Sequence, residues 1–120
     1  MTDTGWQEQL RRGTLELAVL LVIAPGKRYG LEIIRHLEFA DLVLTEGTIY
    51  PLLARLEREG LLKAEWVEGE GPRARKYYQL TKAGHAALAS QKTEWNVFTA
   101  AVARVLSDAR PATKASGAAR

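Results

Sequence analysis

Residues 45–60 read TEGTIYPLLARLEREG, and this stretch decides the interpretation of the whole chain. Its apolar side chains recur at the spacing of one face of an α-helix: Ile49, Leu52, Leu53 and Leu56. Gly47 and Pro51 interrupt the pattern, although both weaken a helix, proline by about 3 kcal/mol in an interior. The stretch therefore predicts a helix that carries two unfavourable residues near its start.

The position of the N-cap decides how much Pro51 costs. If Thr48 is the cap, Pro51 falls in the first turn, where backbone N–H groups lack intrahelical partners in any case. If Thr45 is the cap, Pro51 is interior and a bend is expected. The sequence leaves both caps open. Gly60 is expected to end the helix as a left-handed cap.

The arc opposite the leucines carries groups that suit a nucleic-acid groove. It holds small, hydroxyl, phenol and guanidinium side chains: Gly47, Thr48, Tyr50, Pro51, Ala54, Arg55 and Arg58. Arginine can bond guanine edges or phosphate, and Thr and Tyr hydroxyls commonly reach phosphate. The alternative is a solvated face on which Glu57 and Glu59 pair with neighbouring charges. From this helix alone, DNA contact and protein contact remain equally open.

Two helices are predicted before this stretch. Residues 15–24 form an apolar helix with Thr14 as N-cap, and Pro25-Gly26 ends it. Because this helix is apolar almost all round, we expect burial on several sides, either by a partner subunit or as a central core helix. The second helix begins at Tyr29 or Gly30 and runs to Phe39, and residues 41–44 connect it to the third.

A β-hairpin is predicted after the third helix. Apolar and polar residues alternate over 62–67 and again over 74–80, with breakers at 68–72 between them. Arg73, Arg75 and Lys76 lie just past the turn, where a wing would meet the DNA backbone with salt-dependent affinity. A solvated strand end is the alternative, and Glu68 and Glu70 argue against phosphate contact at the extreme tip.

The last predicted helix needs a partner. Thr81 caps it, and a coiled-coil-like seam follows at Leu88, Trp95, Phe98, Val102 and Val105, with Gln91 in the remaining heptad position. It extends for about 25 residues, roughly 37 Å, which is longer than a core this small can cover. We therefore predict a homodimer interface formed by Leu17, Leu21, Leu88, Trp95, Phe98, Val102 and Val105.

Composition excludes several classes of protein. The 120 residues favour one domain, the net charge of +3 is only mildly basic, and there is no cysteine for disulfides or thiolate metal sites. No signal pattern or membrane-length apolar run is present, so a soluble cytoplasmic protein is expected. His36 and His85 lie on separate helices without ligand spacing, so we predict no enzyme, no metal and no cofactor.

The order of elements is helix, helix, helix, hairpin, helix, which is the winged helix-turn-helix arrangement. The predicted fold is mainly α with a small β-hairpin (α+β). Residues 1–80 form the winged helix-turn-helix DNA-binding domain, 81–106 the C-terminal dimerisation helix, and 107–120 a disordered tail.

The sequence resembles the PadR family of bacterial transcriptional regulators, in the short form with one C-terminal helix. Four segments carry the resemblance: GTLELAVLLVIA, Tyr29-Gly30, GTIYPLLARLEREGLL and RKYYQLTKAG. They span roughly residues 13–85. The resemblance implies a homodimer that represses transcription from a near-palindromic double-stranded DNA operator. It also implies DNA contact for Tyr29, Thr48, Tyr50, Arg75 and Lys76, and inward packing for Tyr78 and Leu80.

Taken together, the residues expected to bind DNA are Tyr29, Thr45, Thr48, Tyr50, Arg55, Arg58, Arg73, Arg75 and Lys76. The resemblance further implies that some relatives bind planar aromatic molecules between subunits, so Trp95 and Phe98 are candidates for an effector site. An aromatic interface core without a ligand is the alternative. The competing function is a winged helix that docks a protein without specific DNA binding.

Overall fold

The computed structural model describes residues 5–42, 47–69 and 74–108. Within these ranges the chain forms four helices and three strands. In chain order they are α1 (Gly5–Ile23), β1 (Arg28–Tyr29), α2 (Gly30–Phe39), α3 (Ile49–Arg58), β2 (Leu62–Glu68), β3 (Ala74–Leu80) and α4 (Lys82–Asp108). Thr45, Arg73 and most of the predicted tail lie outside the described residues. The α+β winged arrangement is confirmed.

Helix α1 begins ten residues before the predicted start at Leu15, so the prediction that Thr14 is its N-cap was wrong. The Thr14 hydroxyl instead donates back to the carbonyl oxygen of Leu10 at 3.0 Å, within the helix. The preceding residues 7–12, QEQLRR, are good helix formers and extend the helix without an apolar stripe of their own.

Helix α3 runs from Ile49 to Arg58, which makes Pro51 its third residue. Thr48 takes the N-cap position, but its side chain makes no capping hydrogen bond. Proline in the first turn removes no intrahelical hydrogen bond, so it is tolerated there. Gly60 follows with φ +81°, as predicted, and the Leu61 N–H donates to the Leu56 carbonyl at 2.9 Å.

The sheet has one more strand than the sequence predicts. The β2–β3 hairpin is confirmed, and β1 adds to its other side, giving the order β1-β3-β2 with both pairs antiparallel. Arg28 pairs with Tyr78, and Tyr29 pairs with Tyr77. A two-residue strand is too short to show alternation, and only its partner identifies it.

Thr81 joins the end of α3 to the start of α4. Its hydroxyl donates to the Gly60 carbonyl at 2.6 Å and accepts from the Gly84 N–H at 2.9 Å. The predicted role of Thr81 as the cap of the last helix is therefore confirmed. Helix α4 continues to Asp108, two residues past the predicted end.

The core lies between α1, α2, α3 and the inner face of the sheet. Its most buried side chains are Val19, Leu20, Ile23, Ile33, Ile34, Leu37, Ile49, Leu53 and Leu56. Tyr78 and Leu80 pack inward from β3, as predicted. None of the helices in the described ranges combines the length and apolar character needed to cross a membrane.

Beyond its first turns, α4 leaves this core. Leu88 is only 6% exposed and packs within its own chain, so it offers almost no surface to a second one. The other seam residues expose large apolar side chains: Trp95, Phe98, Val102 and Val105. Leu88 therefore does not lie on an exposed interface as predicted. The reason is that α4 starts inside the core and projects outward only after its first turns.

Candidate nucleic-acid interface

The N-terminal ends of α2 and α3 and the outer part of the hairpin surround one concave site, which we call the wing groove. Its volume is about 420 Å³, and its lining residues are Tyr29, Gly30, Leu31, Tyr50, Trp66, Arg75, Lys76 and Tyr78. Four residues predicted to bind DNA therefore meet here from three parts of the chain: Tyr29, Tyr50, Arg75 and Lys76. Aromatic and basic groups dominate the groove.

Tyr50 lies against the first residue of α2. A Cβ atom added to Gly30 would come within 2.7 Å of Tyr50 Cε1 and 3.1 Å of its hydroxyl oxygen. Gly30 is buried, while Tyr50 remains 43% exposed. The absence of a side chain at position 30 thus leaves room for the phenol beside the start of α2.

Tyr29 is held from two sides. Its backbone N–H donates to Glu32 Oε1 at 3.2 Å at the start of α2, and strand pairing with Tyr77 fixes its backbone. The Tyr29 and Tyr77 rings meet edge to face with 5.5 Å between centroids. The Arg75 guanidinium stacks 4.4 Å from the Tyr29 ring centroid, within cation–π range. Arg75 is exposed, so its donors stay available to a phosphate.

Lys76 is more constrained. Its ammonium lies 3.3 Å from Glu57 Oε1 on α3 and about 6 Å or less from two ring centroids, Trp66 at 5.9 Å and Tyr78 at 5.5 Å. These contacts tie the hairpin to α3. Lys76 therefore serves first to hold the wing against the helix, and its positive charge faces the same groove.

Trp66 is a groove residue that the sequence did not single out for binding. Its side chain is 68% exposed on β2, opposite Lys76. The alternation of β2 puts Trp66 on the same face as the buried Leu62, but the strand extends past the core there, so the large aromatic side chain is left exposed. Tyr78, in contrast, is buried, and this burial, only partly offset by the nearby Lys76 charge, raises the pKa of its phenol.

On α3 itself, Thr48, Tyr50 and Arg58 are exposed as predicted, but the structure corrects the direction of Arg55. Arg55 Nη2 donates to Glu16 Oε1 of α1 at 2.8 Å, and Nη1 donates to both carboxylate oxygens of Glu59 at 3.0 Å. The helical wheel placed Arg55 on the outer arc, but a long side chain can turn back to a carboxylate on a neighbouring helix.

These contacts shift two pKa values. Burial alone would raise the pKa of the Glu16 carboxyl, but hydrogen bonds from Arg55 and Gln91 and the charge of Arg55 outweigh it, so the pKa is lowered. Hydrogen bonds to Glu16 and Glu59 raise the pKa of Arg55. The pair is therefore ionised at neutral pH.

A second concave region lies between α1 and α4, and we call it the α1–α4 groove. Its volume is about 600 Å³, and it is lined by Gln9, Leu10, Gly13, Thr14, Glu16, Leu17, Gln91, Glu94, Trp95 and Phe98. Trp95 also borders an adjoining site of about 390 Å³ that includes Leu21. The predicted effector residues Trp95 and Phe98 and the predicted interface residues Leu17 and Leu21 thus lie in one region.

No group of three or more His, Cys, Asp or Glu side chains in the described ranges could hold a metal ion. His36 and His85 are both exposed on helices, as expected.

Comparison with known proteins agrees with this architecture. Residues 19–90 match the model of the transcriptional regulator PadR-like family. A transcriptional regulator of Mycobacterium tuberculosis is 34% identical over 84 residues, which cover 70% of this chain and 78% of that protein.

Solved structures share the fold. A PadR family transcriptional regulator from Eggerthella lenta superposes with a TM-score of 0.76 at 36% identity, covering 84% of this chain and 88% of the other. Bacillus subtilis PadR, solved in complex with operator DNA, gives a TM-score of 0.60 at 23% identity, covering 65% and 46%, and shows the same fold. The family model and these relatives show that the chain belongs to the PadR-like family, whose members are transcriptional regulators and not enzymes.

Proposed function

We propose that this regulator is a cytoplasmic repressor that binds a near-palindromic operator in double-stranded DNA as a homodimer. The observation that carries the proposal is the wing groove, in which the recognition helix α3, the start of α2 and the basic strand β3 converge. The structure of Bacillus subtilis PadR on operator DNA supports the same use of the fold.

The residues around the wing groove would contact two different parts of the DNA, the major groove and the phosphate backbone. The N-terminal part of α3 enters the major groove, with Thr48 and Arg58 at the edges of the contact. Tyr29, Tyr50 and Arg75 surround a phosphate of the flanking backbone, because hydroxyl and guanidinium donors suit phosphate oxygens. Arg55 is left out of this contact set, since its donors are engaged by Glu16 and Glu59.

In the proposed dimer, the second subunit brings a second recognition helix to the other half-site of the operator. The exposed apolar side of α4, with Phe98 62% and Val105 70% exposed, is too large to leave in water and continues the seam predicted from the sequence. A second copy covers it in our proposal, together with Leu17 and Leu21 of α1. Two recognition helices would then address successive major grooves about 34 Å apart.

DNA binding is tested on fragments of the protein's own promoter, by fluorescence anisotropy over a salt series. We expect a saturable complex whose logarithmic affinity falls linearly with the logarithm of salt concentration. Arg75→Ala should weaken binding and reduce the slope by about 1, and Tyr50→Phe should weaken binding at every salt concentration. Arg104→Ala, which removes the same charge from an exposed site on α4, is the matched control.

The competing protein-docking function makes the opposite prediction. Binding that is equally weak on every fragment, or an Arg75→Ala variant that behaves like Arg104→Ala, would contradict specific DNA recognition by the wing groove. Reporter expression from the bound promoter, with and without the gene, then distinguishes a repressor from an activator.

The α1–α4 groove is the proposed site for a small planar aromatic effector that releases the DNA. Trp95 and Phe98 supply stacking faces at its wall. In a variant with Trp6 and Trp66 replaced by Phe, a bound aromatic compound should quench the emission of Trp95. Unchanged emission across a panel of such compounds would favour an interface core without a ligand.

A further inference from the structure

The carboxylate of Glu16 lies where three helices meet. Its Oε1 accepts from Arg55 Nη2 of α3 at 2.8 Å, and its Oε2 accepts from Gln91 Nε2 of α4 at 2.8 Å. Glu16 itself belongs to α1. One planar group therefore holds a different helix with each oxygen, so any rotation that strengthens one hydrogen bond strains the other.

The hydrogen bonds of Glu16 link the α1–α4 groove to the recognition helix α3. Glu16 and Gln91 line the α1–α4 groove beside Trp95 and Phe98. On the other side, Arg55 lies in the recognition helix and is also bound to Glu59 at its C-terminal end. The α1–α4 groove and α3 therefore share one carboxylate.

The arrangement is difficult to explain by folding stability alone. Glu16 and Arg55 keep 30% and 41% of their side chains exposed, and ion pairs with this exposure contribute little to stability. The pair nevertheless turns an arginine of the recognition helix away from the DNA side.

We propose that Glu16 is a positioning residue that couples the α1–α4 groove to the recognition helix, so that a group competing for its carboxylate in the groove breaks the hold of α1 on α3, loosens the recognition helix and weakens operator binding. The link to operator binding rests on the function proposed above. The coupling between the groove and α3 does not depend on DNA and can be measured without it.

Gln91→Lys tests the coupling from the groove side. The new ammonium lies next to Glu16 and competes with Arg55 for its carboxylate, whereas Ser90→Lys places the same charge at the neighbouring exposed position. Amide hydrogen exchange is followed at pH 7 in α3, with α2 as the internal reference. We expect exchange in α3 of Gln91→Lys to rise about threefold or more over Ser90→Lys, while α2 is unchanged.

Glu16→Gln identifies the route. It weakens the hold on Arg55 directly, so it should raise α3 exchange by itself, and adding Gln91→Lys to it should have no further effect. Equal α3 exchange in Gln91→Lys and Ser90→Lys would overturn the coupling, and so would equal increases in α2 and α3. A further increase in the double variant would also overturn it, because the signal would then bypass Glu16.

Operator affinity completes the test. At a protein concentration where light scattering shows both variants to be dimers, we expect Gln91→Lys to bind the promoter fragment about threefold or more weakly than Ser90→Lys, in step with α3 exchange. If α3 exchange responds but the wild-type protein binds no fragment, the proposed function fails and the coupling stands. If the wild type binds and affinity ignores Gln91→Lys, the coupling has no regulatory role and this inference fails.

Discussion

Gly30 controls the position of Tyr50 at the scale of single atoms. The phenol occupies the space that any side chain at position 30 would fill, and the obstructing atoms are the far end of a side chain that can rotate. A substitution at this glycine should therefore move Tyr50 and leave the backbone in place. A substitution at Gly30 can therefore test the role of Tyr50 in DNA binding without unfolding the protein.

We expect Gly30→Ala to fold normally and to bind the operator poorly. Displacing the Tyr50 hydroxyl removes one hydrogen bond to a phosphate, which corresponds to an affinity loss of about tenfold. Thermal unfolding should show a stability change below about 1 kcal/mol, and anisotropy titration measures the affinity. Gly26→Ala, where a Cβ meets nothing within 4 Å, is the control and should keep full affinity.

The Glu16–Arg55 pair predicts a dependence of stability on pH. Because the folded-state pKa of Glu16 is lowered, the stabilisation is complete above the ordinary carboxyl value of 4.5 and is lost as pH falls through the folded-state pKa. The difference in unfolding free energy between wild type and Glu16→Gln should thus be larger at pH 7 than at pH 3. Urea denaturation at both pH values measures it.

The same comparison in an Arg55→Met background provides the control. Without the guanidinium, the folded and unfolded pKa values of Glu16 should move closer, so the pH-dependent difference should shrink. A difference that persists unchanged would show that Arg55 is not its source.

At the residue level, the sequence identified side chains that the fold brings together, although their contact with DNA stays a prediction. Tyr29, Tyr50, Arg75 and Lys76 were predicted separately, and the structure brings them into one groove. Arg55 could not be placed, because a helical wheel gives the direction of Cβ, whereas its guanidinium follows Glu16, a partner 39 residues away in the chain. Its binding partner was visible only in three dimensions.

At the scale of elements, α3 and the hairpin were predictable because their periodicity is strong and local. Of the four predicted apolar positions in α3, Ile49, Leu53 and Leu56 are fully buried and Leu52 is partly buried. Strands β2 and β3 pair in the predicted alternation. The first half of α1 and the strand β1 were not predictable. Residues 7–12 have helix propensity without a buried stripe, and β1 exists only through its pairing with β3.

The outer half of α4 yields a prediction about assembly. Val105→Glu places a charge on the seam, where a paired copy would bury it, so the dimer should dissociate. Light scattering coupled to size exclusion should report the monomer mass across micromolar concentrations. Ala100→Glu, on the opposite side of the same helix, is the control and should remain dimeric. A dimeric Val105→Glu variant would contradict the proposed interface.

At the scale of the whole molecule, the protein is elongated, with extents of 72 × 36 × 21 Å. Helix α4 accounts for much of this length, since 27 helical residues span about 40 Å. In the proposed dimer, two such helices would fix the separation of the two recognition helices. Operator spacing should therefore be as important as operator sequence.

Inserting five base pairs between the operator half-sites tests this rigidity. The insertion turns one half-site by about half a turn of the duplex, so both recognition helices cannot engage at once. We expect affinity to fall towards that of a single half-site, measured by gel shift with the unmodified operator as reference. Equal affinity for both fragments would show that the half-sites are bound independently.

Thr81 has a consequence for how this scaffold can change. Its hydroxyl and the Thr81 N–H to Leu61 carbonyl bond of 3.1 Å close the base of the hairpin, next to the ends of α3 and α4. The end of α3 is thus tied to the start of α4 through a single side chain. A change in the angle between the recognition helix and α4 therefore has to pass through the base of the hairpin.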